Sequence, residues 1–477
     1  MRRRRRRRTS WTCCGISTHA PIAPISRRDG TALSQDILFT TPQMAEVFSA
    51  GRRLQRMLDV EAALARALAR RGMVPDHAAD AIGRQCRVEH FDVEAVYREA
   101  MLAGTPTIPL VARLVELVDD DARGFVHWGA TSQDILDTGL VLQMRDGLDL
   151  LLADLVGIGR SCAALAEQHR TSLMPARTLL QHALPTTFGL KAAQWLAAVT
   201  AQIARLREVE RGLAVQLGGA AGTLAAYRDD GLAVVALLAE ELHLPAPALS
   251  WHTDRNLPAA VTAAVGLACG TAGKIATDVA LLMQTEVGEV AEGPRRGKGG
   301  STTMPHKRNP VDSVAAVAAA RLALGAVPVV MGAMIQEHER GAGSWQAEWD
   351  GVPAVFRHAS AAIFRTGGAL AGLEVDVDRM RDNLELTGGA VLAESLATAL
   401  APHIGRPAAN TVVQGVVSVA LSSDADLRAA AHDTQAVTDV LEPAQIDAAF
   451  DAAGYLGSNN ALIDRALTSF TQFDHDG

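Results

Sequence analysis

From about Leu38 onward the apolar positions recur at three- and four-residue intervals, the period of a helix with one buried face. Leu54, Leu58, Leu64 and Leu68 keep this spacing, and Gly72 follows where a helix would end on a left-handed residue. Between Lys191 and Leu213 the positions Leu196, Val199, Ile203, Leu206 and Leu213 form one stripe, with Trp195 read as core beside it. A stripe that long spans about 30 Å at 1.5 Å per residue, the scale of a bundle helix. Pro258–Val290 reads as a second long helix, with Lys274, Asp278, Glu286 and Glu289 spaced along its polar side. Val311 to about Glu337 reads as a third, broken or bent near Pro328. No segment alternates strictly enough to predict a major strand. The pattern therefore predicts an all-α protein in three helical parts around a long central bundle.

The breaks in the pattern place a helical N-terminal part at 37–124, the bundle at 125–366 and a smaller helical part at 367–477 with a turn at Gly388-Gly389. The apolar stripes exceed what one short bundle can bury, so a homo-oligomer is expected. Composition sharpens this. Aromatic residues are only 4% of the 477, and apolar residues 48%, which suits Ala- and Leu-rich helices better than a β-sandwich. Without the run Arg2–Arg8 the net charge falls from −8 to about −15, so nucleic acid is an unlikely partner for the body of the chain. The uncharged stretches are interrupted by Pro, Gly and Thr, and none is read as a membrane span. The five cysteines lie apart, with no CxxC pair, which predicts a reduced, cytoplasmic protein without structural zinc. Residues 1–36 read as a disordered basic extension or an upstream start.

The segment Gly293–Pro310, GPRRGKGGSTTMPHKRNP, carries the clearest chemistry. Four glycines in Gly293–Gly300 let a loop move and let backbone N–H groups point at an anion. Pro310 suits the first turn of a helix, whose free N–H groups favour negative charge. Lys307 and Asn309 add a cation and an amide donor, and Ser301 a hydroxyl. The spacing does not fit a nucleotide P-loop, because no Gly stands five residues before Gly297-Lys298.

This loop resembles the signature loop of the fumarase/aspartase superfamily. Two further segments resemble that family in the right order: His127-Trp128-Gly129-Ala130-Thr131-Ser132-Gln133-Asp134, and Arg177-Thr178-Leu179-Leu180-Gln181-His182-Ala183-Leu184-Pro185. The resemblance implies an all-helical tetramer whose active sites each draw on three subunits, working on a small polycarboxylate without metal or organic cofactor. By the same resemblance, Ser301 is the expected proton carrier, with Lys307 and Asn309 stabilising the charged intermediate. Thr131, Ser132 and Gln181 are expected to hold carboxylates, with His127, Arg340 and Arg255 as further binding residues.

Two departures choose the branch. The lyases that release amines or nucleotides carry a His where this chain has Leu179, and Leu cannot transfer a proton. On a helix, His182, three residues on, would point elsewhere. In His338–Trp349, Trp345 and Trp349 fall where a phosphate-binding Ser and Arg would stand, and two indoles make a poor phosphate site. Both changes suit the muconate-cyclising branch, in which a carboxylate leaves or adds and needs no general acid. The expected reaction is closure of 3-carboxy-cis,cis-muconate to a lactone in aromatic-ring catabolism. The alternative is an adenylosuccinate-lyase-like release of fumarate. Protein lacking residues 1–36 is expected to keep its helical signal and its turnover; a salt-sensitive affinity for nucleic acid that vanishes with the deletion would instead mark the extension as a binding arm.

Overall fold

A computed structural model describes residues 38–294, 298–300, 304, 306–423 and 425–474. The extension 1–36, Ser301 and the cysteines Cys13 and Cys14 lie outside the described residues. The all-α expectation holds: only two small antiparallel sheets of two strands each occur among the described residues. Helix α1 (Ala50–Arg70) follows the predicted stripe, capped by the Ser49 hydroxyl at one end and closed by left-handed Gly72 at the other.

Five long helices make the centre. They are α2 (Ser132–Gln168), α3 (Phe188–Arg211), α4 (Asn256–Leu282), α5 (Val311–Gly332) and α6 (Ser344–Leu370). Side-chain bonds fix their directions. Arg255 at the start of α4 reaches Asp137 at the start of α2 and Glu348 at the start of α6. These three helices therefore start together at one end, called here the head of the bundle. Helices α3 and α5 run back between them. At the opposite end, the tail, β1 (Leu173–Thr178) and β2 (Gln181–Thr187) form a hairpin directly after α2. There too, β3 (Val290–Ala291) pairs with β4 (Glu374–Val375) after α4 and α6.

Several sequence expectations shift. The second long helix stops at Leu282 rather than Val290, and the chain then turns through left-handed Gly288 into β3. The segment 177–182, read as helical, is the hairpin. Helices α4 and α5 are each long and apolar enough to cross a membrane by length and composition, which corrects the earlier exclusion. The break or bend expected near Pro328 does not divide the helix: Pro328 lies inside Val311–Gly332. In this structure α5 lays its alanines Ala316, Ala319, Ala320 and Ala323 against α4 and α6, and leaves Val314, Leu322, Val329 and Met331 exposed.

One continuous apolar core joins 38–124 to the bundle, whereas Leu396, Leu400, Val416, Leu427 and Ile446 form a separate core in the C-terminal part. The last helix, α7 (Asn459–Asp474), returns to pack on α3 and α2. Trp195 is buried as expected and its indole N–H donates to Asp278 at 2.8 Å. Small residues permit the closest approaches. A Cβ on Gly147 would lie 2.7 Å from the Phe356 ring, and one on Gly159 would overlap the Phe470 ring of α7. Gly159→Ala is expected to cost about 1–3 kcal/mol in urea unfolding. Gly157→Ala, on the same helix with open space around it, should be neutral or gain up to about 1 kcal/mol.

Candidate active site

The head of the bundle is built on buried acids. Thr131 is the cap residue of α2, and its backbone N–H donates to Asp134 at 2.9 Å. Asp134 also accepts from the Gly218 and Gly219 N–H groups at 2.9 and 3.0 Å, and bonds His252 Nε2 at 2.7 Å. One carboxylate thus ties the start of α2 to the glycine loop after α3 and to the segment before α4. The glycines are required there. A Cβ on Gly218 would lie 2.7 Å from the His252 ring, and Gly219 has φ +69°. Arg340 closes the third side, donating to Ala220 O at 2.9 Å and reaching Gln133 Oε1 at 3.4 Å. Ser132 Oγ has no hydrogen-bond partner among the described residues and sits half-exposed at this helix start. Thr131 and Ser132 at this helix start and Arg340, through Gln133, thus lie at one end of the bundle.

Arg255 is not part of that surface. It is 1% exposed, and all five of its N–H donors are used. Nε and Nη2 donate to Glu348 at 3.0 and 2.6 Å, Nη1 and Nη2 to Asp137 at 2.7 and 3.0 Å, and Nη1 to Trp251 O at 3.3 Å. Burial opposes its charge, but Asp137 and Glu348 outweigh burial and hold it firmly protonated. The expectation that Arg255 binds substrate is corrected: no donor remains to offer. Trp345 belongs to the same knot, donating to Asp137 at 2.9 Å and standing edge-on to Trp349.

The remaining expected residues lie at the tail. Asn309 N and Nδ2 both donate to Gly299 O, at 3.1 and 3.2 Å, and Lys307 is exposed. Glu292 accepts from the first N–H groups of α5 at 3.2 and 2.8 Å, and Lys298 pairs with Glu292 and Asp312. Gln181 is exposed beside the hairpin turn, whose residues Leu179 and Leu180 both have positive φ, 48° and 65°. That is the geometry of a two-residue I′ turn, normally Asn-Gly, and it leaves Leu179 98% exposed. His182 stands opposite Arg177, which pairs with Glu289 at 2.6 Å. Burial and Arg177 push its pKa down.

Head and tail are far apart. The 27 residues of α4 run from one to the other, about 40 Å. One protomer cannot bring Arg340 and Lys307 to the same small molecule.

The comparisons with known proteins agree with this architecture. A family profile described as "Lyase" matches residues 36–325, and one described as "Adenylosuccinate lyase C-terminus" matches 389–466. The crystal structure of the 3-carboxy-cis,cis-muconate lactonizing enzyme from Pseudomonas putida superposes with a TM-score of 0.86 at 41% identity, covering 92% of this chain and 99% of that one. The chain belongs to the fumarase/aspartase superfamily of lyases. A 3-carboxy-cis,cis-muconate cycloisomerase from Pseudomonas aeruginosa is 47% identical over 91% of this chain and 95% of its own length. A nitrosuccinate lyase from Streptomyces davaonensis is 40% identical over 90% and 92%.

Within this superfamily member, the sequence reading missed Glu61, Asp137, His252 and Glu348, all buried at the head. Glu61 left a signal: it interrupts the apolar stripe of α1 between Leu58 and Leu64. The others became meaningful only as partners. Arg255→Leu strands two buried carboxylates and is expected to lose about 3–5 kcal/mol of stability in urea unfolding. A variant that stays fully stable and shows only a raised KM would restore Arg255 to substrate binding.

Proposed function

We propose that this chain is a cofactor-independent cycloisomerase that closes 3-carboxy-cis,cis-muconate to a carboxymuconolactone. The observation that carries this is the apolar hairpin tip. Leu179 stands where lyases of the family place a proton-donating His, so the leaving side of the reaction has no donor. A carboxylate, with a pKa of about 4, departs or adds as the anion and needs none. An amine or amide nitrogen does. Trp345 and Trp349 favour the same reading, since they offer a nucleotide phosphate no cation. The relatives named for this reaction support it further.

In the cyclising direction a substrate carboxylate oxygen attacks one end of a C=C bond. A C–O bond forms and the π pair moves to the carbon beside another carboxylate, giving a doubly charged aci-carboxylate. Lys307 and Asn309 stabilise that charge, and Ser301 donates the proton that completes the new C–H bond. Thr131, Ser132, His127 and Arg340 hold carboxylates at the head, and Gln181 holds one from the hairpin. Because head and tail lie about 40 Å apart in one chain, the site is assembled from several copies, in a cytoplasmic homotetramer. The exposed apolar side of α5 and the Leu179-Leu180 tip are then covered by neighbouring copies.

Two measurements test this. Ser301→Ala should lower kcat for the muconate by more than tenfold with the fold intact; a smaller loss removes Ser301 from the role. Arg340→Ala and Lys307→Ala should each be nearly inactive alone, yet co-expression should yield mixed oligomers that regain activity. Mixtures as inactive as their parents would show that each site belongs to one chain.

A further inference from the structure

Glu61 is 1% exposed on the apolar face of α1, a position where a carboxylate costs several kcal/mol unless it is paired. Its one partner among the described residues is His127, whose Nδ1 lies 2.6 Å from Oε1; Oε2 is buried and has none. The contact holds a strained backbone in place. His127 has φ 57°, a left-handed conformation that costs a non-glycine residue of order 1 kcal/mol or more. The next turn is locked by Gly129, at φ +77°, under the Tyr227 ring, whose hydroxyl donates to Trp128 O at 2.9 Å. One edge of the imidazole is thus seated on a buried acid. The other edge carries Nε2, which has no partner among the described residues, and the side chain remains 20% exposed beside the start of α2.

The charge balance gives this pair a purpose. Four buried carboxylates, Glu61, Asp134, Asp137 and Glu348, lie behind a site that must accept a trianion. Arg255 is consumed by two of them. A neutral imidazole bonded to Glu61 through Nδ1–H would present a bare Nε2 lone pair, which repels a carboxylate. An imidazolium presents an N–H donor and a positive charge.

We propose that Glu61 is a positioning residue that keeps His127 as an imidazolium, whose Nε2–H takes one substrate carboxylate at the head of the bundle. This deepens the function proposed above and rests on it. The groups facing His127 agree with the assignment. Burial alone would lower its pKa, but Glu61 on α1, by charge and hydrogen bond, and Asp134 on α2 outweigh it and raise the pKa. Tyr227, packed over the same turn, is pushed up by burial and by both acids, so it stays neutral. Cys86, near Glu61, is likewise held as the thiol.

The sign of the pH dependence follows. His127 is charged below its raised pKa, so substrate binding is strong there and weakens as pH rises through it. Glu61→Gln keeps the shape and a hydrogen bond but removes the charge that raises the pKa. Steady-state kinetics of the full chain with 3-carboxy-cis,cis-muconate from about pH 6 to 9 read the effect. Near neutral pH, Glu61→Gln should raise KM roughly tenfold while kcat stays within about threefold, the scale of losing one charge-assisted bond. Lowering the pH should restore KM. His127→Gln should raise KM at the acidic and neutral end of this range and flatten its pH dependence, and adding Glu61→Gln to it should change nothing more. A Glu61→Gln profile that matches wild type, or a rise in KM that acid does not reverse, overturns the proposal. Calorimetric binding of propane-1,2,3-tricarboxylate at the same pH values reads the same Glu61 effect without turnover. Wild type that binds this tricarboxylate with that pH dependence, yet leaves the muconate unchanged, refutes the cycloisomerase reading and not the role of Glu61.

Discussion

The head of this protein depends on one buried guanidinium. Arg255 satisfies Asp137 and Glu348 with charge-assisted bonds, and in doing so pins the first turns of α2, α4 and α6 to one another. Removing two carboxylates from water is costly, and only near-complete pairing offsets it. Here the pairing is complete, since every N–H of Arg255 is accepted. The three helices must therefore start in register. That register sets where Thr131 and Ser132 project and where Gln133 meets Arg340. The same acids make the region negative behind the surface that has to attract an anion, so the remaining cations cannot be idle.

Helix length imposes the second constraint. The residues that resemble the family's catalytic set divide between two ends of a bundle about 40 Å long. Such helices cannot fold a site within one chain. They can present half of a site at each end, the arrangement that under the proposed function a copy running the opposite way would complete. The apolar outward side of α5 fits this arrangement, as do two leucines held in a left-handed turn with almost no cover. Both are costly on a free protomer and reasonable on an assembled one.

The chemistry follows from what the tip of the hairpin lacks. A scaffold that elsewhere serves the cleavage of C–N bonds needs a donor for the departing nitrogen. A lactone oxygen leaves as a carboxylate, which is stable unprotonated at neutral pH. An apolar residue at the tip therefore removes one activity and leaves the other possible. The indoles of Trp345 and Trp349 act in the same direction: they pack edge to face, and Trp345 spends its N–H inward on Asp137.

The helical class, the stripe and end of α1, the span of α3 and the identity of the three chemical segments were legible in the sequence. Each depends on local spacing or on a short motif, and these survive in one dimension. The hairpin at 173–187 was not legible, because Leu179-Leu180 occupies a turn that normally announces itself as Asn-Gly. The continuity of α5 past Pro328 was hidden as well, since packing on α4 and α6 overrides the local preference of proline for a helix break. The division of the site residues into head and tail, the removal of Arg255 from the binding surface and the seating of His127 on Glu61 were decided by tertiary structure alone. A sequence shows which residues can carry charge. Only the fold decides which of those charges are spent on each other, because pairing depends on distances between positions far apart in the chain.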